Sequence, residues 1–146
     1  MRGDIPGGDI HWRMHFSSSI ETVFEALSTA HGRQSFWAES AIENKGIIEF
    51  RFANGYTYQS KIIESSPPTK FSILYFDTPL LFELTEDNQG GTDLLMTHKA
   101  VSEKEWQEVH AGWLNVLFPL KAYVDHAIDL RNHDISRSWD QGYADQ

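Results

Sequence analysis

Residues 9–16 alternate strictly, with Ile10, Trp12, Met14 and Phe16 on one side and His11, Arg13 and His15 on the other. A period of two is the signature of a half-buried strand. The period then changes: Ile20, Val23, Phe24 and Leu27 recur at helical spacing behind Ser18 and Ser19. A Ser oxygen accepts an N–H left unpaired in a first helical turn, so either Ser can cap this helix, and Ser18 with Glu21 has capping-box spacing. Residues 28–37 read as a second short helix, interrupted by Gly32 and closed by Phe36 and Trp37.

From residue 40 to residue 100 the strand period returns. Residues 46–52 set Ile48, Phe50 and Phe52 against Ile47, Glu49 and Arg51, and Asn54-Gly55 joins them to residues 56–64, a strong hairpin signal. Pro67 and Pro68 separate that run from residues 71–76. A break at residues 77–79 precedes residues 80–86, where Leu80, Phe82 and Leu84 align. The polar run 87–91 turns the chain into residues 92–100, in which Leu94, Met96 and His98 share a face. Hairpin after hairpin gives a meandering antiparallel sheet with one buried face.

The last pattern is helical. Ser102 and Glu105 have capping-box spacing, and Trp106, Val109, Trp113, Val116, Leu117, Leu120 and Val124 form an apolar stripe. One helix is expected over residues 102–131. Pro119 removes a hydrogen bond and crowds the preceding turn, which predicts a kink near residues 115–118. Residues beyond 132 are mostly polar, with Trp139 the candidate anchor of a docked tail. The order is one strand, two short helices, about six strands and one long helix, which specifies an α+β domain with a curved sheet around the C-terminal helix. The expected organisation is a flexible N-terminus at 1–8, a domain at 9–133 and a tail at 134–146.

Composition narrows the function. The 146 residues suit one domain. The absence of Cys excludes disulfides, thiolate metal sites and thiol catalysis. Twelve Lys and Arg against 21 Asp and Glu leave a net charge of −9, which opposes nucleic acid and anionic membranes alike. No apolar run matches a secretory signal or a membrane span, so a soluble cytoplasmic protein is expected. Of the seven His, His11 and His15 would lie roughly 13 Å apart along a strand, and no His-Glu-x-x-His spacing occurs. No metal or other cofactor is expected.

Three stretches carry a resemblance: residues 20–27 (IETVFEAL), residues 82–98 (FELTEDNQGGTDLLMTH), and Gly112-Trp113 through Leu117 with residues 120–123 (LKAY). In this order they are similar to the START-like, helix-grip (SRPBCC, Bet v-like) superfamily, and within it to the homologues of the heat-shock protein 90 ATPase activator. The resemblance covers roughly residues 10 to 130 and implies the fold more firmly than the function, since one fold hosts many functions. Its members hold hydrophobic small molecules, perform cyclase or hydrolase chemistry, or partner chaperones. The eponymous co-chaperone has a separate N-terminal domain, whereas residues 1–9 alone precede the first strand here, so a chaperone partner is not expected.

A round helix covers a broad sheet incompletely, and the remaining space is either filled by large side chains or left as a pocket. Trp12, Met14, Phe50, Phe52, Tyr58, Phe82, Met96, His98, Trp113 and Leu117 point into it by their periodicity, with Phe36, Trp37, Tyr75 and His110 around them. A pocket of this kind, holding a small hydrophobic molecule, is the leading expectation. Tyr58, Tyr75, His98 and His110 are the candidate polar handles. Imidazole titrates near neutrality, so His98 is also the candidate acid or base of the second reading, an enzyme. His98→Ala is expected to leave folding nearly intact. Glu43, if it faces inward, would be a buried acid. The third reading is an interaction protein. Apolar residues on the outer sheet face, among them Ile47, Ile63, Leu74, Phe76 and Leu81, allow a homodimer.

Overall fold

In a computed structural model, which describes residues 7–146, β1 (Gly8–Phe16) is followed by α1 (Ile20–Ser28) and α2 (Ala30–Gln34). Six strands come next: β2 (Ser40–Asn44), β3 (Ile47–Arg51), β4 (Thr57–Ser66), β5 (Lys70–Tyr75), β6 (Thr78–Glu86) and β7 (Thr92–Val101). The last helices are α3 (Trp106–Gly112) and α4 (Leu114–His126). The strands form one antiparallel sheet in the order β1-β7-β6-β5-β4-β3-β2. Each strand from β2 onward pairs with its successor, and β1 returns to β7 with Trp12 opposite Met96 and Met14 opposite Leu94. This is the α+β helix-grip arrangement, a curved open sheet with the helices on its apolar face. Up to residue 6, the expected N-terminal segment lies outside the described residues.

Local chemistry explains the joints. Ser19, not Ser18, caps α1, accepting the Thr22 N–H at 3.3 Å. Ser18 instead donates its hydroxyl to Asp125 Oδ1 at 2.7 Å, while the Ser17 and Ser18 N–H groups reach the same carboxylate at 3.1 Å each. This latch ties the end of α4 to the start of α1. Burial works against the ionised Asp125, yet the hydrogen bonds from Ser18, Ser17 and Lys121 hold its pKa down at about 2. Arg33 gave no signal in the sequence and is 1% exposed. Its guanidinium donates to Leu27 O and twice to Ala41 O, satisfying a buried cation with carbonyls. Burial lowers its pKa to about 10, with Glu43 acting in the opposite direction.

Two expectations about turns change. The β5–β6 turn is Phe76-Asp77, one residue before the expected break, so that β6 includes Pro79. Both turn residues have positive φ, 48° and 70°, a conformation that costs a bulky side chain energy. Tyr58 holds the turn: its hydroxyl accepts the Asp77 N–H at 2.8 Å and donates to Asp77 Oδ1 at 3.3 Å. Glu43 does not face inward; it is exposed and accepts the Gly46 N–H across the β2–β3 turn at 2.6 Å.

The long helix is also revised. It is interrupted at Trp113, directly after Gly112, and α4 runs through Pro119 without a break. Trp113 keeps right-handed helical dihedrals, but the Val116 N–H bonds its carbonyl at 3.0 Å, a tightened three-residue spacing. The helix ends at His126, short of residue 131. Ala127 is left-handed at φ 56°, its N–H bonds Tyr123 O as in an αL closure, and Ile128 N–H reaches Ala122 O. Ser102 and Glu105 form no capping box; Ser102 Oγ donates to the Glu105 carboxylate and the helix starts afterwards at Trp106.

Residues 128–146 fold back as a strap with one 3-10 turn, Trp139–Gln141. Arg131 donates to Gln34 O and Ala38 O at 2.8 and 3.1 Å. His133 lies between Glu39 and Asp129 at 2.5 and 2.7 Å. Trp139 Nε1 reaches Glu108 at 2.5 Å, and Asn115 Nδ2 reaches Gln146 O at 2.6 Å.

Candidate functional site

The space between the sheet and the last helix is built from aromatic rings. Trp37, carried by the turn after α2, has its ring centroid 4.9 Å from Phe50, 5.4 Å from Tyr75, 5.8 Å from Phe82 and 6.1 Å from Trp113. Phe36 stacks behind Trp37 at 5.8 Å. Phe50, Phe82, Met96 and Leu117 are fully buried, and His98 and Trp113 nearly so. The alternation of each strand and the helical stripe of α4 therefore do converge on one interior, and the rings occupy it.

The remaining candidates separate into two rims. On one side Phe52 stacks on Phe50 at 5.6 Å, and the exposed Phe76 stacks on Tyr58 at 4.5 Å. On the other, Trp12, His110 and Trp106 form a triple stack, with centroids 4.5 and 4.6 Å apart, and Trp12 Nε1 donates to His110 O at 2.9 Å. Met14 is half-buried against the core. Sequence periodicity placed Trp106 on the stripe of the last helix but not in this stack, which its ring completes.

His98 is fully engaged. Trp113 Nε1 donates to its Nδ1 at 3.1 Å, while its Nε2 faces Thr78 Oγ1 at 2.9 Å and Tyr75 O at 3.2 Å. An indole N–H only donates and a carbonyl only accepts, so the geometry assigns the ring proton to Nε2. Burial lowers the His98 pKa, opposed by the hydrogen bond to Tyr75, and the ring stays neutral. Removing it would strand the Trp113 N–H inside the core, so His98→Ala is expected to destabilise the fold rather than leave it nearly intact.

Two polar groups in this interior are underused. The Tyr75 hydroxyl accepts from Trp37 Nε1 at 3.2 Å and donates to nothing among the described residues. Burial, with Tyr58 adding to it and Trp37 opposing, pushes its pKa well above the usual phenol range. Ser60 is fully buried and its Oγ has no partner. Ile62 pairs with Ile73 across β4 and β5, and two residues further along each strand come Ser60 and Tyr75 on the same face.

Two hollows lie away from this interior. One, of about 160 Å³, sits between α1, α2 and α4 against Thr22, Ala26 and Tyr123. The other, of about 360 Å³, lies behind the last helix beneath the strap, against Leu114, Asn115, Phe118, Pro119, Leu130 and Trp139. Among the described residues no helix is long and apolar enough to cross a membrane.

Comparison with solved structures returns the same architecture. The Staphylococcus saprophyticus protein SSP2350 superposes with a TM-score of 0.74 at 24% identity, over 84% of this chain and 96% of that one. The Aha1 dimer from Colwellia psychrerythraea gives 0.72 at 21%, over 81% and 96%. The AHSA1-like protein from Aeromonas hydrophila gives 0.68 at 18%, over 82% and 93%. No curated protein sequence matches the chain. Residues 17–125, from the latch serines to the carboxylate that holds them, match the sequence model described as Activator of Hsp90 ATPase homolog 1-like protein, and the chain belongs to that family.

Proposed function

We propose that the chain binds a small, largely apolar molecule between its sheet and its last helix. The observation that carries this reading is the unspent Tyr75 hydroxyl, a neutral donor set among Trp37, Phe50 and Trp113 with Ser60 on the neighbouring strand. An unmet polar group in such a place costs roughly 1–3 kcal/mol, and a ligand carrying one acceptor relieves it. Of the other expected handles, Tyr58 is committed to Asp77 and His98 to Trp113, Thr78 and Tyr75, while His110 is stacked between Trp12 and Trp106 at the rim. With both ring nitrogens of His98 occupied and no carboxylate bonded to it, binding is favoured over acid–base catalysis.

Entry follows from the interrupted helix. Helix α3 has no fully buried side chain and is held to β1 through Trp12. A swing of α3 about Gly112 and Trp113 would draw the Trp113 ring out of the interior and free the volume of one indole. Weakly packed segments open at low cost, and a ligand that fits the open form shifts the population toward it. Ile42 and Ile47, exposed on the outer side of β2 and β3, offer an apolar edge for a second copy, and the Colwellia relative is a dimer.

Native mass spectrometry of the freshly purified protein tests the reading, with an added mass that leaves on denaturation as the expected result. With 2-acetylnaphthalene as an acceptor-bearing probe, amide NMR shifts should centre on Tyr75, His98 and Trp113. Tyr75→Phe should then weaken binding about tenfold. A bare mass together with no shift at those residues overturns it.

A further inference from the structure

The strap, residues 128–146, is fastened to the body at separate places that border the interior. Arg131 donates to Gln34 O and Ala38 O, at either end of the turn that carries Phe36 and Trp37, and His133 reaches Glu39 beside it. Asp140 accepts from Asn54 Nδ2 at 3.1 Å, at the tip of the β3–β4 hairpin just after Phe52. Trp139 donates to Glu108 on α3, and its ring lies 3.9 Å from where a Cβ on Gly112 would stand. Residues four apart on a helix are neighbours, so this one indole lies along α3 and against its joint with α4. The strap begins beyond residues 17–125, which match the family. Its hold is light: Leu130 is about half exposed, and a hollow of about 360 Å³ lies beneath. A segment with few buried apolar contacts opens at low cost.

We propose that the strap is autoinhibitory: it keeps α3 and the Trp37 turn closed over the interior, and a ligand enters only when it lifts. This inference rests on the interior reading above. A ligand in the volume of the Trp113 indole requires α3 to swing away from the body, which breaks the contacts of Trp139 with Glu108 and Gly112. Ligand and docked strap therefore exclude each other. The apparent affinity is the intrinsic one scaled down by the fraction of molecules whose strap is lifted.

Hydrogen exchange and binding of 2-acetylnaphthalene, both on the full chain, test this. Trp139→Ala should quicken amide exchange in residues 106–112 about fivefold and raise the affinity by the same factor, within what one hydrogen bond contributes. The amides of β6 and β7 should stay protected. Glu108→Ala, which removes the same bond from the other side, should act alike. The chain has no Cys, so Asn54→Cys with Asp140→Cys can be joined by dibromobimane, and the joined chain should bind more weakly than wild type. Unchanged exchange in α3, or unchanged affinity in both Trp139→Ala and the joined chain, overturns the role of the strap while the interior reading stands. Quickened exchange with no binding by any variant overturns the interior reading, and the inhibition with it.

Discussion

The last helix separates two regions that use aromatic side chains in opposite ways. On its inner side, Trp113 touches Trp37, Tyr75, Phe82 and His98, and its N–H is met by an imidazole held from behind by Thr78 and Tyr75. On its outer side, Trp139 lies in an irregular strap, half-buried, bonded to the exposed Glu108 and bordering open volume. Inner contacts come from Tyr75, Phe82 and His98 on regular strands and from Trp37 on the turn after α2. Outer contacts hang on a few polar bonds between the strap and the body. The same residue type is thus part of the fold in one place and of an adjustable surface in the other.

The largest way to test that contrast is Trp113→Ala. Truncating a nearly buried aromatic should cost about 3–5 kcal/mol in global stability, measured by urea unfolding. Trp139→Ala should cost less than about 1 kcal/mol, near the surface end of the usual range. Similar losses for the two would erase the distinction.

A smaller effect, of about 1–3 kcal/mol, is expected for His98→Ala, because the buried Trp113 N–H loses its acceptor. The pH dependence carries the same information. Burial depresses the folded pKa of His98 below 6.5. Its contribution is therefore present above 6.5 and lost as pH falls toward the folded value, because the unfolded chain takes up the proton first. Thermal unfolding should weaken over that acid window in the wild type and less so in His98→Gln. An identical acid profile in the variant would show that His98 does not titrate this way.

The smallest effect is local and has the opposite sign. Asp129 raises the His133 pKa most, partial burial opposes it, Glu39 adds to the rise and Arg131 reduces it. The contacts of His133 with Asp129 and Glu39 are then complete below 6.5 and are lost as pH rises through the elevated value. Amide exchange in residues 131–146 should quicken over that alkaline step while the sheet stays protected. Uniform exchange across strap and sheet would instead mean that the strap opens only with the whole fold.

Strand periodicity made the sheet legible: Ile10 to Phe16, Leu80 to Leu84 and Leu94 to His98 point inward as alternation requires. The helix interruption was not, because Pro119 drew the expected kink toward itself. Pro119 is buried and α4 continues through it, whereas the interruption falls earlier, at Trp113 directly after Gly112. Arg33 and Asp125 escaped notice for another reason. Arg33 is enclosed by carbonyls six and eight residues away, and Asp125 by N–H groups 107 and 108 residues away, spacings that neither a helical nor a strand period encodes. Similarly, periodicity could say that His98 faces inward but not that Trp113, fifteen residues later, would occupy its Nδ1. The hollow under the strap rests on residues 128–146, where the sequence has no period to read.

The position of β1 bears on how the chain is made. Its partner strand is β7, and its serines are held by Asp125, 107 residues beyond Ser18. During synthesis, which proceeds at roughly 5–20 residues per second, Trp12, Met14 and Phe16 emerge long before anything can cover them. The hairpins from β2 to β7 can form in order as they emerge, but the first strand must wait for the last. A destabilised β7 would therefore leave an apolar N-terminal strand unpaired, so that variants in β7 should aggregate more readily than equally destabilising variants in β3.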